Sequence, residues 1–139
     1  MEPIKATLRF MGYDVQIMNF QKKIPQQMEE NSEIELNPIF SRHISSKDKT
    51  HYELALGVKL EQDNLPFYAE IVLVGKFAVD EEQNAEKIMK VNATAVLFPY
   101  VRATLSMLTT LAEIPPINIP PINLVKMFEH EQSESENEA

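Results

Sequence analysis

Four of the nine prolines fall between positions 115 and 121, as Pro115-Pro116 and Pro120-Pro121, and each pair is followed by Ile-Asn. Proline lacks an amide hydrogen and clashes with the preceding turn, so this stretch can neither continue a helix nor sit inside a sheet. Any regular element before it must end there, and Ile117, Ile119 and Ile122 travel on an irregular connector. Directly upstream, Leu97–Ile114 has a helical pattern, with Pro99 suited to a first turn. At about 100° per residue, Val101, Leu105, Leu108 and Ala112 form one stripe, and Met107, Leu111 and Ile114 form a second beside it. The apolar arc is about 200°, twice what one core requires. The surplus predicts a subunit interface. Beyond the prolines, a short helix from about Pro121 to Glu131 would carry Leu124, Met127 and Phe128.

The first half alternates like a sheet. Ile4, Ala6, Leu8 and Phe10 share one parity, whereas Tyr13, Val15 and Ile17 share the other. A parity change at Gly12 marks a bulge or a strand break. Met18 and Phe20 then lead into a polar crossover loop, and a second strand is expected over Ile34–Ile44, with Pro38 favouring an edge. In the third strand Tyr52, Leu54, Leu56, Val58 and Leu60 face one way, and Glu53 and Lys59 the other. After a turn at Asp63–Pro66, the fourth strand, Phe67–Val79, is apolar on both faces. Tyr68, Val72 and Val74 on its second face predict a covering subunit. Asp80 is expected to cap a short helix over 81–90. Strands followed by helices make an α+β chain.

Charge and composition narrow the function. The net charge of −8 argues against nucleic acid, which requires a basic surface. Five glutamates fall in residues 129–139, so the chain divides into a domain over 1–128 and an acidic tail expected to be disordered. No run approaches the length of a membrane span, and the N-terminus lacks the apolar core of a signal peptide, so a cytoplasmic location without membrane insertion is expected. The absence of cysteine removes disulfides and thiolate chemistry.

No catalytic constellation stands out. Gly12, Gly57 and Gly75 are too dispersed for a phosphate loop, and His43, His51 and His130 lack metal-ligand spacing. The expectation is a non-enzyme without cofactor or metal. A ligand held between sheet and helix is the disfavoured enzymatic alternative.

Leu97-Phe98-Pro99-Tyr100-x-Arg102, followed without a gap by Pro115-x-Ile-Asn118-Ile-x-Pro121-Ile-Asn123 and closed by Phe128, resembles the SecB family of bacterial protein-export chaperones. The resemblance implies a four-stranded antiparallel sheet packed on a long helix, with a Pro-rich connector and a short C-terminal helix. It further implies a homotetramer built as a dimer of dimers, explaining both apolar surpluses through Val72, Val74, Val101, Leu105 and Leu108. Its function would be that of an ATP-independent holdase for unfolded preproteins. The alternative is one dedicated partner, such as an antitoxin.

Unfolded chains expose apolar side chains and unpaired backbone, so their receptor needs adaptable apolar surface near a strand edge. Phe20, Ile39, Phe40, Ile117, Ile119, Leu124, Met127 and Phe128 are the candidates for client binding. For transfer to SecA, the translocation ATPase, the resemblance leaves Asp14, Tyr68 and Glu70. Where SecB proteins carry first-strand acids, this chain has Ile17-Met18-Asn19-Phe20-Gln21. Ala103, Ala112 and Val125 likewise stand where Glu, Gly and Asp are common in the family.

Overall fold

The computed structural model describes residues 7–23, 36–80 and 84–112. Strands β1 (Leu8–Lys22), β2 (Ile39–Ser46), β3 (His51–Leu60) and β4 (Phe67–Val79) form one antiparallel sheet in the order β1-β4-β3-β2. Helix α1 (Ala85–Ile88) passes through a π-helical turn at Met89–Ala93 into α2 (Thr94–Leu111), which lies over β3 and β4. The α+β architecture expected from the chain is the one observed.

Alternation in the two central strands builds the core. Leu54, Leu56, Val58 and Leu60 on β3 and Phe67, Ala69, Ile71, Leu73, Phe77 and Val79 on β4 are buried under the helix. Met89, Ala93, Leu97, Val101 and Leu105 meet them from above. Each fully buried aliphatic side chain of this kind contributes about 1.5–3 kcal/mol relative to exposure. Gly75 permits the close approach of the two layers. A β-carbon there would lie 2.7 Å from Phe77 and 3.2 Å from Leu97, so the helix rests where the sheet has no side chain.

Strand β1 has two bulges. Phe10 pairs with Phe77 and Tyr13 with Gly75, so one extra residue is inserted at Gly12, whose φ of 100° suits glycine alone. A second shift lies between Val15, opposite Leu73, and Ile17, opposite Val72. Directly opposed residues share a face, so the helix side of β1 carries Leu8 and Phe10, then Tyr13 and Val15, then Met18 and Phe20. The expected grouping of Ile17 with Tyr13 and Val15 is thereby corrected. Ile17 points to the outer face, because the second bulge reverses parity before it.

Three other boundaries differ from expectation. Strand β2 begins after Pro38 and extends to Ser46. Proline ends the approach rather than joining the ladder. Helix α1 begins after Asn84, and no side chain caps it, so Asp80 is not its cap. Helix α2 begins five residues before Pro99, which lies inside it. Proline removes the bond to the Ala95 carbonyl, and Ala95 is on the exposed side of the helix, where a carbonyl is accessible to solvent. The buried hydroxyls of Thr94, Thr104 and Thr109 donate to the carbonyls of Met89, Tyr100 and Ser106 at 3.3, 2.8 and 2.9 Å.

Candidate functional site

Among the described residues α2 covers β3 and β4, and the helix side of β1 is only partly roofed. Tyr13, Val15 and Met18 share that side with the fully buried Leu73 and Ile71, yet they are 38%, 47% and 49% exposed. The helix adds its own exposed row of Val96, Tyr100, Met107 and Leu111. Spacings of four, seven and four residues put these on one line along a helix. Tyr100 fixes where that line points. Its ring lies 5.1 Å from Tyr13 and 5.5 Å from Phe10, so the row meets β1 at Tyr100. At that contact the exposed apolar rows of β1 and α2 join into an apolar trough, with a plate of three aromatic rings where they meet. Phe77 underlies that plate at 5.2 Å from Phe10.

This geometry corrects the interface expected from the helical wheel. Val101 and Leu105 are wholly buried within the protomer, and Leu108 packs against the same core. Val101 and Leu105 thus serve the sheet below, whereas Leu108 keeps part of its surface exposed. The second stripe, with Met107 and Leu111, is the exposed one. Val72 and Val74 lie half-buried on the outer face of the sheet, away from the trough. The sequence signal that finds Tyr13, Val15, Met18, Val96 and Tyr100 is the double parity change in β1 combined with the row through Met107.

The opposite flank, between β2 and α2, is better closed. Phe40 is buried with its ring edge-on to Phe98 at 5.8 Å, and Arg102 lies over the other part of that ring at 5.9 Å. Phe40 is thus a core residue here, and the groove expected to expose it is filled by Phe98. The Arg42 guanidinium donates to the Lys90 carbonyl at 3.0 Å, tying β2 to the π-helical turn. Ile39 is 55% exposed at the start of the edge strand, and Phe20 stacks on Phe67 at 5.2 Å at the opposite edge of the sheet. Ile39 and Phe20 are therefore not neighbours, since β4 and β3 separate their strands. Ile117, Ile119, Leu124, Met127 and Phe128 lie outside the described residues.

Asp14, Tyr68 and Glu70 all occupy the outer face, but they do not form an acidic patch. Asp14 lies opposite Val74, four residues along β4 from Glu70, a separation of about 13 Å. Its carboxylate pairs with Lys76 at 2.9 Å and raises the pKa of that lysine. Lys59 stands 5.9 Å over the Tyr68 ring, opposite Glu70, and bridges to Glu61 at 3.4 Å. Glu61, followed by Tyr68 and Glu70, raises the pKa of Lys59. Each predicted docking residue is thus matched by a lysine.

The β2–β3 turn is a separate polar feature. The exposed Asp48 carboxylate accepts the backbone N–H groups of Thr50 and His51 at 2.8 Å each and meets the His51 ring at 3.0 Å. Those contacts, the Thr50 amide first, hold its pKa down at about 2. Among the described residues no group of His, Asp and Glu is arranged to hold a metal, and no helix is long and apolar enough to cross a membrane.

A four-stranded antiparallel sheet with one long helix across it defines a SecB-like chaperone fold. The same fold occurs in a SecB-like chaperone of Mycobacterium tuberculosis, solved in complex with a ChAD peptide from the HigA1 antitoxin. The two superpose with a TM-score of 0.68 over 83% of this chain and 90% of that one, at 12% sequence identity. The chain belongs to the SecB family: the family model for preprotein translocase subunit SecB matches residues 14–135. An uncharacterised protein of Methanocaldococcus jannaschii is 32% identical over 97% of this chain and 92% of its own length. The protein-export protein SecB of Acinetobacter baylyi is 27% identical over 92% of this chain and 86% of its own. Membership supports a chaperone role for this chain.

Proposed function

We propose that this protein is an ATP-independent holdase that binds unfolded preproteins and keeps them competent for export, and that it assembles into a homotetramer. The observation that carries the assembly is the trough between β1 and α2. Seven large apolar side chains exposed along one continuous flank leave a protomer with surface that a second copy would cover. Client binding is assigned to Phe20, Ile39 and the connector residues Ile117, Ile119, Leu124, Met127 and Phe128. Ile39 has the strongest support, because it lies on β2, the edge strand of the sheet among the described residues, where an extended chain can add backbone hydrogen bonds. The decisive assay is suppression of aggregation of a denatured, signal-bearing preprotein without nucleotide. A chain that leaves aggregation unchanged at one tetramer per client is not a holdase.

Delivery to SecA is the finer part of the proposal and depends on Asp14, Tyr68 and Glu70. Their lysine partners reduce the acidic field available to a basic docking segment, so direct binding to SecA must be measured independently of holdase activity. A second reading, a single dedicated client, is favoured by the antitoxin-peptide complex of the mycobacterial SecB-like chaperone. Affinity capture from the native cells separates the two: many exported precursors support the general holdase, and one dominant protein supports the dedicated chaperone.

A further inference from the structure

The trough contains two of the most oxidisable groups in the molecule. Met18 on its floor is 49% exposed and Met107 on its wall is 60% exposed. The chain has no cysteine, so methionine thioethers are its only sulfur and the first targets of mild two-electron oxidants. Position separates the methionines sharply. Met89 is completely buried in the core between helix and sheet, and Met11 is 57% exposed but sits at the first bulge of β1, beside the break in strand pairing. Met18 and Met107 alone among the described methionines belong to the apolar rows that define the trough.

We infer that Met18 and Met107 are a redox-sensitive pair whose oxidation by a hydroperoxide turns the trough polar and dissociates the assembled chain. In each step the thioether sulfur attacks one peroxide oxygen, the O–O bond breaks, and sulfur loses two electrons as it gains that oxygen. The hydroperoxide departs as water or an alcohol, and the product is methionine sulfoxide. A sulfoxide is a strong acceptor without a proton to donate. Beside Val15 in the strand row or Leu111 in the helix row it finds no donor, so burial under a second copy becomes unfavourable. The inference rests on the reading of the trough as the self-association surface. The reaction proceeds through the free protomer, in which both sulfurs are open to solvent.

Hydrogen peroxide treatment of the full chain, followed by peptide mass spectrometry and light scattering across a dilution series, tests this. Met18 and Met107 are expected to gain one oxygen each well before Met89, faster in dilute than in concentrated protein, and the oxidised chain should associate at least about tenfold more weakly. In the M18L/M107L variant, close in volume to the original, peroxide should no longer change the association that the untreated variant shows, although Met11 remains. Full oxidation at both positions with assembly unchanged would overturn the inference, as would equal loss of assembly in the double leucine variant. An untreated chain that is monomeric at every concentration would instead overturn the self-association reading beneath it.

Discussion

Tyr100 of α2 and Tyr13 of β1 meet with ring centroids 5.1 Å apart, tilted by 46°, while both stay more than a third exposed. Together with Phe10, 5.5 Å from the same Tyr100 ring, this contact joins the helix to β1. It therefore marks the boundary between side chains that hold the protomer together and side chains left for a partner.

That boundary predicts opposite outcomes for neighbouring helix positions. Leu111→Asp, at a side chain 73% exposed, should leave the protomer's melting temperature near that of the parent but weaken self-association by about tenfold or more. Leu105→Ala, at a fully buried position, should cost about 2–5 kcal/mol of stability. Chemical denaturation and light scattering on both variants check the pair. Loss of protomer stability in Leu111→Asp would contradict its placement on the trough wall.

A second prediction concerns the spacing of helix and sheet. Gly75→Val introduces a β-branched side chain where a β-carbon alone would come within 2.7 Å of Phe77 and 3.2 Å of Leu97. The layers must separate or Leu97 must rotate, at a cost of about 1–3 kcal/mol. A reduced denaturation midpoint with an unchanged slope is expected, and a variant as stable as the parent would show that the layers are loosely packed.

Much of this architecture was legible in the sequence. Strands β3 and β4 appear at the expected positions because alternation on β3 and the turn at Asp63–Pro66 set a register that buries Leu54, Leu56, Val58 and Leu60 beside Ile71 and Leu73. The first bulge was marked by Gly12. The second was obscured because Gln16 is an ordinary residue and Ile17 is apolar on either face. The helix contained two candidate stripes, and helical periodicity cannot say which one meets the sheet. Tertiary contact chose Val101 and Leu105, since Gly75 opens a seat below the Leu97 side of the helix. Pro99 misled for a related reason: proline marks a helix start only when packing does not extend the helix through it.

The β2–β3 turn has a defined acid response. Asp48 ionises in the folded chain at about 2 rather than 3.8, chiefly because the Thr50 amide and the His51 ring favour its carboxylate. A group with a depressed folded pKa stabilises the fold fully above its unfolded value, and that contribution is lost as pH falls through the folded one. Stability should therefore decline between about pH 4 and pH 2 in part through Asp48, and Asp48→Asn should flatten that portion of the curve. Urea midpoints measured across this range at fixed salt provide the check. An identical acid slope in the variant would show that the turn does not contribute.

Of the two neighbouring client-binding candidates, Ile39 and Phe40, only Ile39 can be tested with a charge. Phe40 is buried against Phe98, so Phe40→Asp would place a charge in the core and confound binding with unfolding. Ile39, the adjacent residue, points to the other face at 55% exposure and can carry a charge without disturbing that core. Ile39→Asp should retain the parent's melting behaviour and oligomeric state while holding a denatured preprotein several-fold less tightly. Phe40→Leu, which keeps an apolar side chain, should lower stability by about 1 kcal/mol or more with little direct effect on client affinity once folded. Fluorescence titration with one unfolded client, beside thermal melts of both variants, separates these effects. Unchanged affinity in a folded Ile39→Asp would move the client site away from the β2 edge and toward the connector beyond residue 112.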